Sequence, residues 1–218
     1  MNTIIRMVVG TAIQLTLTVL VAYPLSRKNL PHRGLITMIF VFTMFFSGGL
    51  IPEYLLIRQY LHLGNTIWAL VLPSAINTFS MLIVRNYMMG IPIELEESAK
   101  IDGAGDLRIL WRIMLPLTLP ILVTIGLWAL VWHWNQWFDA LIYLDNGKSF
   151  PLQMVLRKIV MDSSPIFTDL SLESNQYNVT PETVKAATII VSTLPIMLIY
   201  PFIQKYFIQG VMIGSVKG

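Results

Sequence analysis

Residues 113–134, IMLPLTLPILVTIGLWALVWHW, decide the fold class of this chain. A transmembrane helix needs about 20 consecutive, mainly apolar residues. This stretch reaches that length without a single Asp, Glu, Lys or Arg. A surface helix of a soluble protein has a polar face, which is lacking here. The stretch therefore predicts a helix that crosses a lipid bilayer.

Four further stretches of similar length and character lie at roughly 4–26, 35–57, 66–89 and 186–207. Irregular backbone is costly against lipid, and these stretches lack the alternation of membrane barrel strands, so five helices are expected. Of the 218 residues 55% are hydrophobic and 12% are charged, whereas soluble domains have about 25% charged residues. We predict a single all-α domain over 1–218, a polytopic transmembrane helical bundle.

The basic residues predict how the bundle is oriented. Connections on one side hold nine Lys and Arg residues, among them the dense run SRKNLPHR at 26–33, and those on the other side hold six. Cytoplasmic loops retain Lys and Arg, which favours an outside amino terminus and an inside carboxyl terminus. The connection 90–112 is then cytoplasmic and 143–185 is extracytoplasmic. Because the basic residues lie between spans, the net charge of +3 does not indicate nucleic-acid binding.

The extracytoplasmic connection contains a predicted amphipathic helix, PLQMVLRKIVM at 151–161. Arg157 and Lys158 lie away from its apolar face, so the helix could lie on the outer leaflet. Further on, Thr180, Pro181 and Glu182 are typical of a helix start. The apolar face is made of Leu152, Val155, Leu156 and Ile159.

Several kinds of chemistry are excluded by composition and motif. The chain has no cysteine, and its three histidines lack the spacing of metal ligands. The string Asn146-Gly147-Lys148-Ser149 resembles part of a phosphate-binding loop, but Ile142 occupies the position of the required upstream glycine. We therefore predict no metal site, no nucleotide site and no enzymatic activity on this chain.

Polar residues within the predicted spans are candidates for a solute pathway. Gln14 and Asn77 could line such a pathway or could form hydrogen bonds between helices. Trp134 and Asn135 belong to an aromatic and amide cluster near the outer end of a span, which suits sugar binding. The alternative for this cluster is an aromatic belt at the membrane interface.

The connection 90–112 predicts a helix-turn-helix elbow. Pro92 can open a helix, and Glu94, Glu96 and Glu97 lie in its first turn, where carboxylates favour the helix dipole. The glycine-containing run 102–106 then breaks the helix, and a second helix is expected to start with residues 107–114.

The segment 94–116, ELEESAKIDGAGDLRILWRIMLP, resembles the EAA loop of binding-protein-dependent importers of the ABC type. The family pattern is Glu-Ala-Ala, a glycine four residues after the second alanine, and then Ile-x-Leu-Pro. The match departs from the pattern at Ser98, which replaces an alanine. Segments 22–34, 45–73, 133–144 and 194–218 are similar to the carbohydrate-uptake branch, specifically the maltose-type second permease and its complex-saccharide relatives.

The resemblance implies the type-1 ABC importer permease fold and a multi-pass permease subunit in a bacterial plasma (inner) membrane. Such a subunit translocates a carbohydrate delivered by an extracytoplasmic solute-binding protein. The other implied partners are a second homologous permease and a cytoplasmic ABC ATPase dimer, which binds ATP and Mg. In this family the elbow docks as a coupling helix into the ATPase. The resemblance assigns that role to Glu94, Glu97, Ser98, Ala99, Asp102, Gly103, Ala104, Ile113 and Pro116.

The resemblance also leads to an expectation about the number of spans. Permeases of this branch usually have six spans, and the present chain starts at what looks like the second of them. The alternative function is therefore a truncated, non-transporting membrane scaffold derived from such a permease.

Overall fold

The computed structural model of the protein describes residues 1–162 and 182–198, and no residue in these ranges lies in a strand. The expected all-α class is confirmed. Short π-helical turns follow α3 (Leu56–Tyr60) and α7 (Leu110–Met114), and a 3₁₀ turn follows α4 (Leu72–Ser74). The helices are α1 (Asn2–Ser26), α2 (Arg33–Phe45), α3 (Leu50–Leu55), α4 (Trp68–Val71), α5 (Thr78–Met89), α6 (Glu94–Ile101), α7 (Asp106–Ile109), α8 (Leu115–Asn135), α9 (Phe138–Tyr143) and α10 (Leu152–Asp162), and α11 (182–198).

Within the described residues, two continuous helices are long and apolar enough to cross a membrane. They are Asn2–Ser26 and Asp106–Asn135, about 38 Å and 45 Å long at 1.5 Å per residue. The second begins seven residues before the predicted span 113–134, because α7, the π-helical turn and α8 are continuous. The second helix of the elbow, expected to start at Leu107, starts at Asp106 and continues into this span. The π-helical turn ends two residues before Pro116, which cannot donate the backbone hydrogen bond of a regular helix.

The predicted straight helix over 35–57 is wrong, because α2 and the helix Leu50–Tyr60 meet at 106°. The break contains Gly48 and Gly49, and Gly49 has a φ of +87°, a conformation that favours glycine. Phe46 before them is already extended, with a φ of −119°. Glycines and an extended residue thus end a helix that hydrophobicity alone would continue.

The predicted span 66–89 is also bent, by 50° between Trp68–Ser74 and Thr78–Met89. Pro73 lies in the 3₁₀ turn, and the Asn77 side chain caps α5 by accepting a hydrogen bond from the Ser80 amide at 2.9 Å. If each bent pair counts as one span, the described residues contain up to four. Of the predicted fifth span, 186–207, residues 186–198 belong to α11 and the rest lies outside the described residues.

Helix α1 packs against α5 and α8 in the centre of the bundle. Small residues allow close approach: a Cβ added at Gly10 would lie 2.3 Å from His133 Nε2, and one at Gly126 would lie 3.2 Å from Leu15 Cδ1. Close packing of a side chain against a glycine stabilises helix pairs in membranes, where lipid is as apolar as the side chains.

The described bundle has two ends, each with its own apolar core. The α6 end comprises residues 19–33 and 84–114, with a core that includes Leu25, Met88 and Ile109. The α9 end comprises residues 3–10, 54–71 and 133–156. Its core contains Ile57, Ala69, Leu70, Ala140, Tyr143, Leu144 and Met154.

Candidate functional site

The predicted elbow forms at the α6 end through a glycine turn. α6 ends at Ile101, and Gly103 has a φ of +78°. Two backbone hydrogen bonds close the turn: the Gly103 amide donates to Lys100 O at 3.0 Å and the Ala104 amide donates to Ala99 O at 2.9 Å. A β-carbon at Gly103 would meet no atom within 4 Å. The turn therefore requires glycine for its backbone angles rather than for space.

The carboxylate of Glu96, which the sequence indicated only as one of three acids in the first turn of α6, is buried and lies against the end of α1. Glu96 has only 5% of its surface exposed. Its Oε2 lies 2.7 Å from Arg27 Nη1 at the end of α1, in an electrostatic contact without hydrogen-bond geometry, and its Oε1 lies 3.0 Å from Lys100 Nζ. The hydrogen bond to Glu96 raises the pKa of Lys100 above its ordinary value of 10.5. The i, i+4 spacing to Lys100 was visible in the sequence, but nothing in it indicated Arg27.

Arg27 occupies the centre of this junction. Its Nη2 lies 3.0 Å from Met114 Sδ in the π-helical turn, and its guanidinium lies 4.9 Å from the centre of the Tyr23 ring. Nearby, Arg85 of α5 donates from Nε to the carbonyl oxygen of Leu25 at 3.0 Å. α1, α5, α6 and the start of the α8 span are thereby joined at one place.

The rest of the elbow is exposed. The apolar side chains of Leu95, Ile101 and Leu107 are 43%, 86% and 69% exposed. Ala99, Ala104 and Ile113 instead pack partly buried against the core of the α6 end. The exposed members of the predicted coupling set are Glu94, Glu97, Ser98, Asp102, Gly103 and Pro116.

A cavity of about 660 Å³ lies between the elbow and the end of α1, beside the Arg27–Glu96 contact. Its wall contains charged side chains of both signs, including Arg27, Lys28, Glu97 and Asp106, together with apolar ones such as Leu107. The volume is within the range of about 300–1,000 Å³ that is typical of ligand and anchor pockets.

The four predicted pathway residues differ in exposure and in hydrogen bonding. Gln14 is buried in α1, and Asn77 is exposed and caps α5. Trp134 is buried and donates from Nε1 to Ser192 O of α11 at 2.9 Å. Asn135 is exposed and donates to Val131 O of its own helix at 2.8 Å. Hydrogen bonds within the protein therefore engage three of these four side chains: one caps a helix, one joins two helices and one lies within a single helix.

The α9 end contains a buried ion pair. Arg6 of α1, whose side chain is fully buried, pairs with Asp139 of α9 and donates from Nη1 to Asp139 Oδ1 at 3.0 Å and to Gln136 O at 3.3 Å. In the sequence, Arg6 is one of the six Lys and Arg residues on the less basic side, which predict topology but no ion pair. Its partner follows a helix break at Gln136, which no local pattern connects to α1.

A surface cluster at the same end, here called the clamp, consists of Arg58, Asn65 and Asp145. Asp145 pairs with Arg58, accepts a hydrogen bond from Asn65 Nδ2 at 2.9 Å, and its amide donates to Asn65 Oδ1 at 2.6 Å. Hydrogen bonds from Arg58 and then Asn65 lower the pKa of the Asp145 carboxyl below its ordinary value. Asn65 takes a φ of +60° in this clamp.

α10 packs beside α9, as part of the connection predicted at 143–185. Met154 and Leu156 are buried, whereas Val155 and Ile159 of the predicted apolar face are 37% and 45% exposed. Part of the apolar surface of α10 therefore packs against the rest of the protein, and part of it is exposed. Residues 163–181 of this connection lie outside the described residues.

Comparison with known proteins identifies the family. Residues 5–213 match the model of the binding-protein-dependent transport system inner membrane component. Protein LplC of Bacillus subtilis is 46% identical over 97% of this chain and 71% of the relative. The polygalacturonan/rhamnogalacturonan transport system permease protein YtcP of the same organism is also 46% identical, over 97% of this chain and 73% of the relative.

A solved structure shows the same fold. One chain of a bacterial ABC transporter involved in the import of the acidic polysaccharide alginate superposes with a TM-score of 0.83 at 35% identity, covering 94% of this chain and 73% of that one. Agreement of this kind extends beyond the motif at 94–116 to nearly the whole chain. The protein therefore belongs to the membrane-embedded permease family of binding-protein-dependent ABC transport systems.

Proposed function

We propose that this chain is the membrane-spanning permease subunit of an ATP-driven importer in a bacterial plasma (inner) membrane. Its solute would be an oligosaccharide derived from an acidic polysaccharide. Support for the substrate class comes from the relatives, which are described as a polygalacturonan/rhamnogalacturonan permease and as an alginate importer. The partners would be a second homologous permease, a cytoplasmic ATPase dimer that binds ATP and Mg, and an extracytoplasmic solute-binding protein.

The α6 end would face the cytoplasm. The run 26–33 holds Arg27, Lys28 and Arg33, and the elbow adds Lys100 and Arg108. A concentration of Lys and Arg favours the cytoplasmic side of a bacterial membrane. The α9 end, with its clamp and α10, would then face the binding protein.

The observation that carries this proposal is the exposed face of the elbow. Ile101 and Leu107 are large apolar side chains that project beside the carboxylates of Glu94 and Glu97. Exposed apolar groups rimmed by charge are typical of an interaction site. The Arg27–Glu96 contact holds this face at the end of α1, so a force applied to the elbow by an ATPase would reach the spans directly.

Transport would follow from motion of the elbow. Closure of the ATPase dimer on ATP would draw the two elbows of a permease pair together and rock the spans between inward-facing and outward-facing states. Hydrolysis itself would occur on the ATPase, since this chain would contribute position and leverage but no phosphate chemistry.

Uptake by the assembled importer tests the proposal. The complex, reconstituted in proteoliposomes with its binding protein, is expected to accumulate a radiolabelled oligogalacturonide only when ATP is enclosed, and not with a non-hydrolysable ATP analogue. The scaffold alternative predicts no uptake under either condition. ATP-independent accumulation at the same rate would contradict an ATP-driven mechanism.

A single substitution separates coupling from membrane insertion. Gly103→Pro should abolish ATP-driven uptake, because proline holds φ near about −65° and lacks the amide that Gly103 donates. Insertion should be unaffected, since the turn lies outside the spans. The matched control, Gly147→Pro, falls at the first position of a 3₁₀ turn, where proline is tolerated. Normal uptake by the Gly103→Pro complex would disprove the lever role of the elbow.

A further inference from the structure

A small open cleft lies at the α9 end, between α9, α10 and α11. It has a volume of about 280 Å³, and its polar lining groups are Trp137, Gln153, Arg157 and Thr188. Small-molecule pockets range from about 300 to 1,000 Å³, so the cleft suits one sugar ring rather than a whole oligosaccharide. Three separate segments of the chain contribute to it, which none of their local patterns indicates.

The guanidinium of Arg157 lies over an aromatic ring in this cleft. Its Cζ is 3.5 Å from the centre of the Trp137 ring. Stacking engages the face of the guanidinium, while the N–H groups point outward in its plane and stay available as donors. The edge of the Phe138 ring packs against Trp137 at a centroid distance of 5.6 Å and supports the platform.

The positive charge of Arg157 lacks a counter-charge in the described part of the chain. The ion pairs among residues 1–162 and 182–198 involve Arg6, Arg27, Arg58 and Lys100, but not Arg157. The Arg157 side chain is exposed at the rim of the cleft. An exposed guanidinium that an aromatic ring holds in place can bind a carboxylate through two parallel hydrogen bonds from its in-plane N–H groups.

The other lining groups suit the remainder of a sugar. Gln153 is four residues before Arg157 and therefore on the same face of α10. Its amide can donate to and accept from hydroxyl groups. The Thr188 hydroxyl donates to Val184 O at 2.8 Å, which leaves its oxygen free to accept a hydrogen bond. Leu156 and Met161 form an apolar wall for the C–H face of a ring.

We propose that this cleft is a binding subsite for one uronate residue of the transported saccharide, with Arg157 binding the carboxylate and Gln153 and Thr188 binding hydroxyl groups. The proposal rests on the proposed function and adds the residues that select an acidic sugar. It assigns recognition to Trp137 and Arg157 rather than to Trp134 and Asn135, whose polar atoms are engaged within the protein.

Uptake of a charged and a neutralised sugar by the same complex tests this assignment. The reconstituted importer is supplied with a de-esterified oligogalacturonide and with its fully methyl-esterified form, which keeps the rings but lacks the charge. Arg157→Gln should raise the half-saturating concentration of the charged form about tenfold and leave that of the ester within twofold. Arg157→Lys should have an intermediate effect, because an ammonium keeps the charge but loses the planar fork.

The matched control is Lys158→Gln, which removes the neighbouring exposed charge. It should change the ratio of the half-saturating concentrations of the charged and esterified substrates less than twofold. The ratio is measured within each variant, so partial misfolding does not imitate the effect. Arg157→Gln with an unchanged ratio, or a wild type that imports only the ester, would overturn the subsite while the importer function stands. A wild type that imports neither saccharide would overturn the proposed function and the subsite with it.

Discussion

The two ends of the bundle each place an arginine from one end of α1 beside a carboxylate, and they differ in what surrounds the pair. Arg6 and Arg27 are about 32 Å apart along α1 at 1.5 Å per residue. At the α9 end Arg6 is fully buried and also donates to a backbone carbonyl. At the α6 end Arg27 is 17% exposed and faces a 660 Å³ cavity.

This difference indicates which end of the bundle is stabilised by contacts within the chain. The α9 end has a buried ion pair, a surface clamp and its own apolar core, so the charged groups of the pair and of the clamp have partners within the chain. The α6 end has one ion pair that fixes the elbow, and beyond it apolar side chains project outward. We infer that the α9 end is stabilised within the chain and that the α6 end is completed by a partner. The following substitutions are ordered by the expected change in the free energy of unfolding.

Asp139→Asn should have the largest effect. The substitution leaves the fully buried Arg6 without a counter-charge, and removal of one partner of a buried pair costs about 3–5 kcal/mol. The free energy of unfolding in mixed detergent micelles measures this loss. Asp145→Asn, at the exposed pair of the same end, should be much milder. Equal effects of the two substitutions would show that the buried Arg6–Asp139 pair stabilises this end no more than the exposed pair does.

Glu96→Gln should cost less, about 2 kcal/mol, because Arg27 retains some solvent contact and the glutamine can still form a hydrogen bond. The pKa of Lys100 should fall toward its ordinary 10.5 when the carboxylate is removed. The matched control is Glu94→Gln on the exposed face of the same helix, with an expected change within about 0.5 kcal/mol. If both substitutions are neutral, Glu96 does not anchor the elbow.

Gly103→Ala tests the turn with a smaller change. A side chain at a φ of +78° is strained even where space is open, and the expected loss is about 1 kcal/mol. Gly105 offers the control, because its φ is −75° and its surroundings are equally open. Gly105→Ala should therefore leave the free energy of unfolding unchanged. A loss at Gly105 equal to that at Gly103 would contradict the role of backbone conformation.

Ile101→Asp should change the free energy of unfolding least, by no more than about 0.5 kcal/mol, since this side chain is 86% exposed. The same substitution should greatly reduce the amount of ATPase that copurifies with the permease, because it places a charge in the apolar contact. Tyr60→Asp, at a 77% exposed residue of the α9 end, is the control and should not affect copurification. Retention of the ATPase by Ile101→Asp would exclude this face as the docking surface.

The sequence allowed much of the bundle to be predicted, and the reasons are local. The apolar runs of α1 and α8 and the break at Gly103 depend on residues close in the chain. The bend of 106° after α2 was missed because hydrophobicity is continuous across Gly48 and Gly49. A continuous apolar run indicates that a segment is buried in lipid, but it does not indicate where the helix changes direction.

The missed site residues depend on contacts between distant parts of the chain. Arg6 with Asp139, Arg27 with Glu96 and Trp137 with Arg157 are each formed by segments that no spacing rule connects. Asn77 and Trp134 were predicted as candidates for a solute pathway, and in the structure hydrogen bonds within the protein engage their polar atoms. Residue type alone does not distinguish a pathway group from a helix cap.

Hydrogen exchange of the permease with and without its ATPase, in the absence of ATP, tests the central claim most directly. Amides exchange more slowly where a partner covers them or stabilises their helix. Residues 94–108 should become protected when the ATPase is added, while residues 136–145 should exchange at the same rate as in the isolated permease. Unchanged exchange at 94–108, or equal protection at both ends, would contradict the account of one complete end and one end completed by a partner.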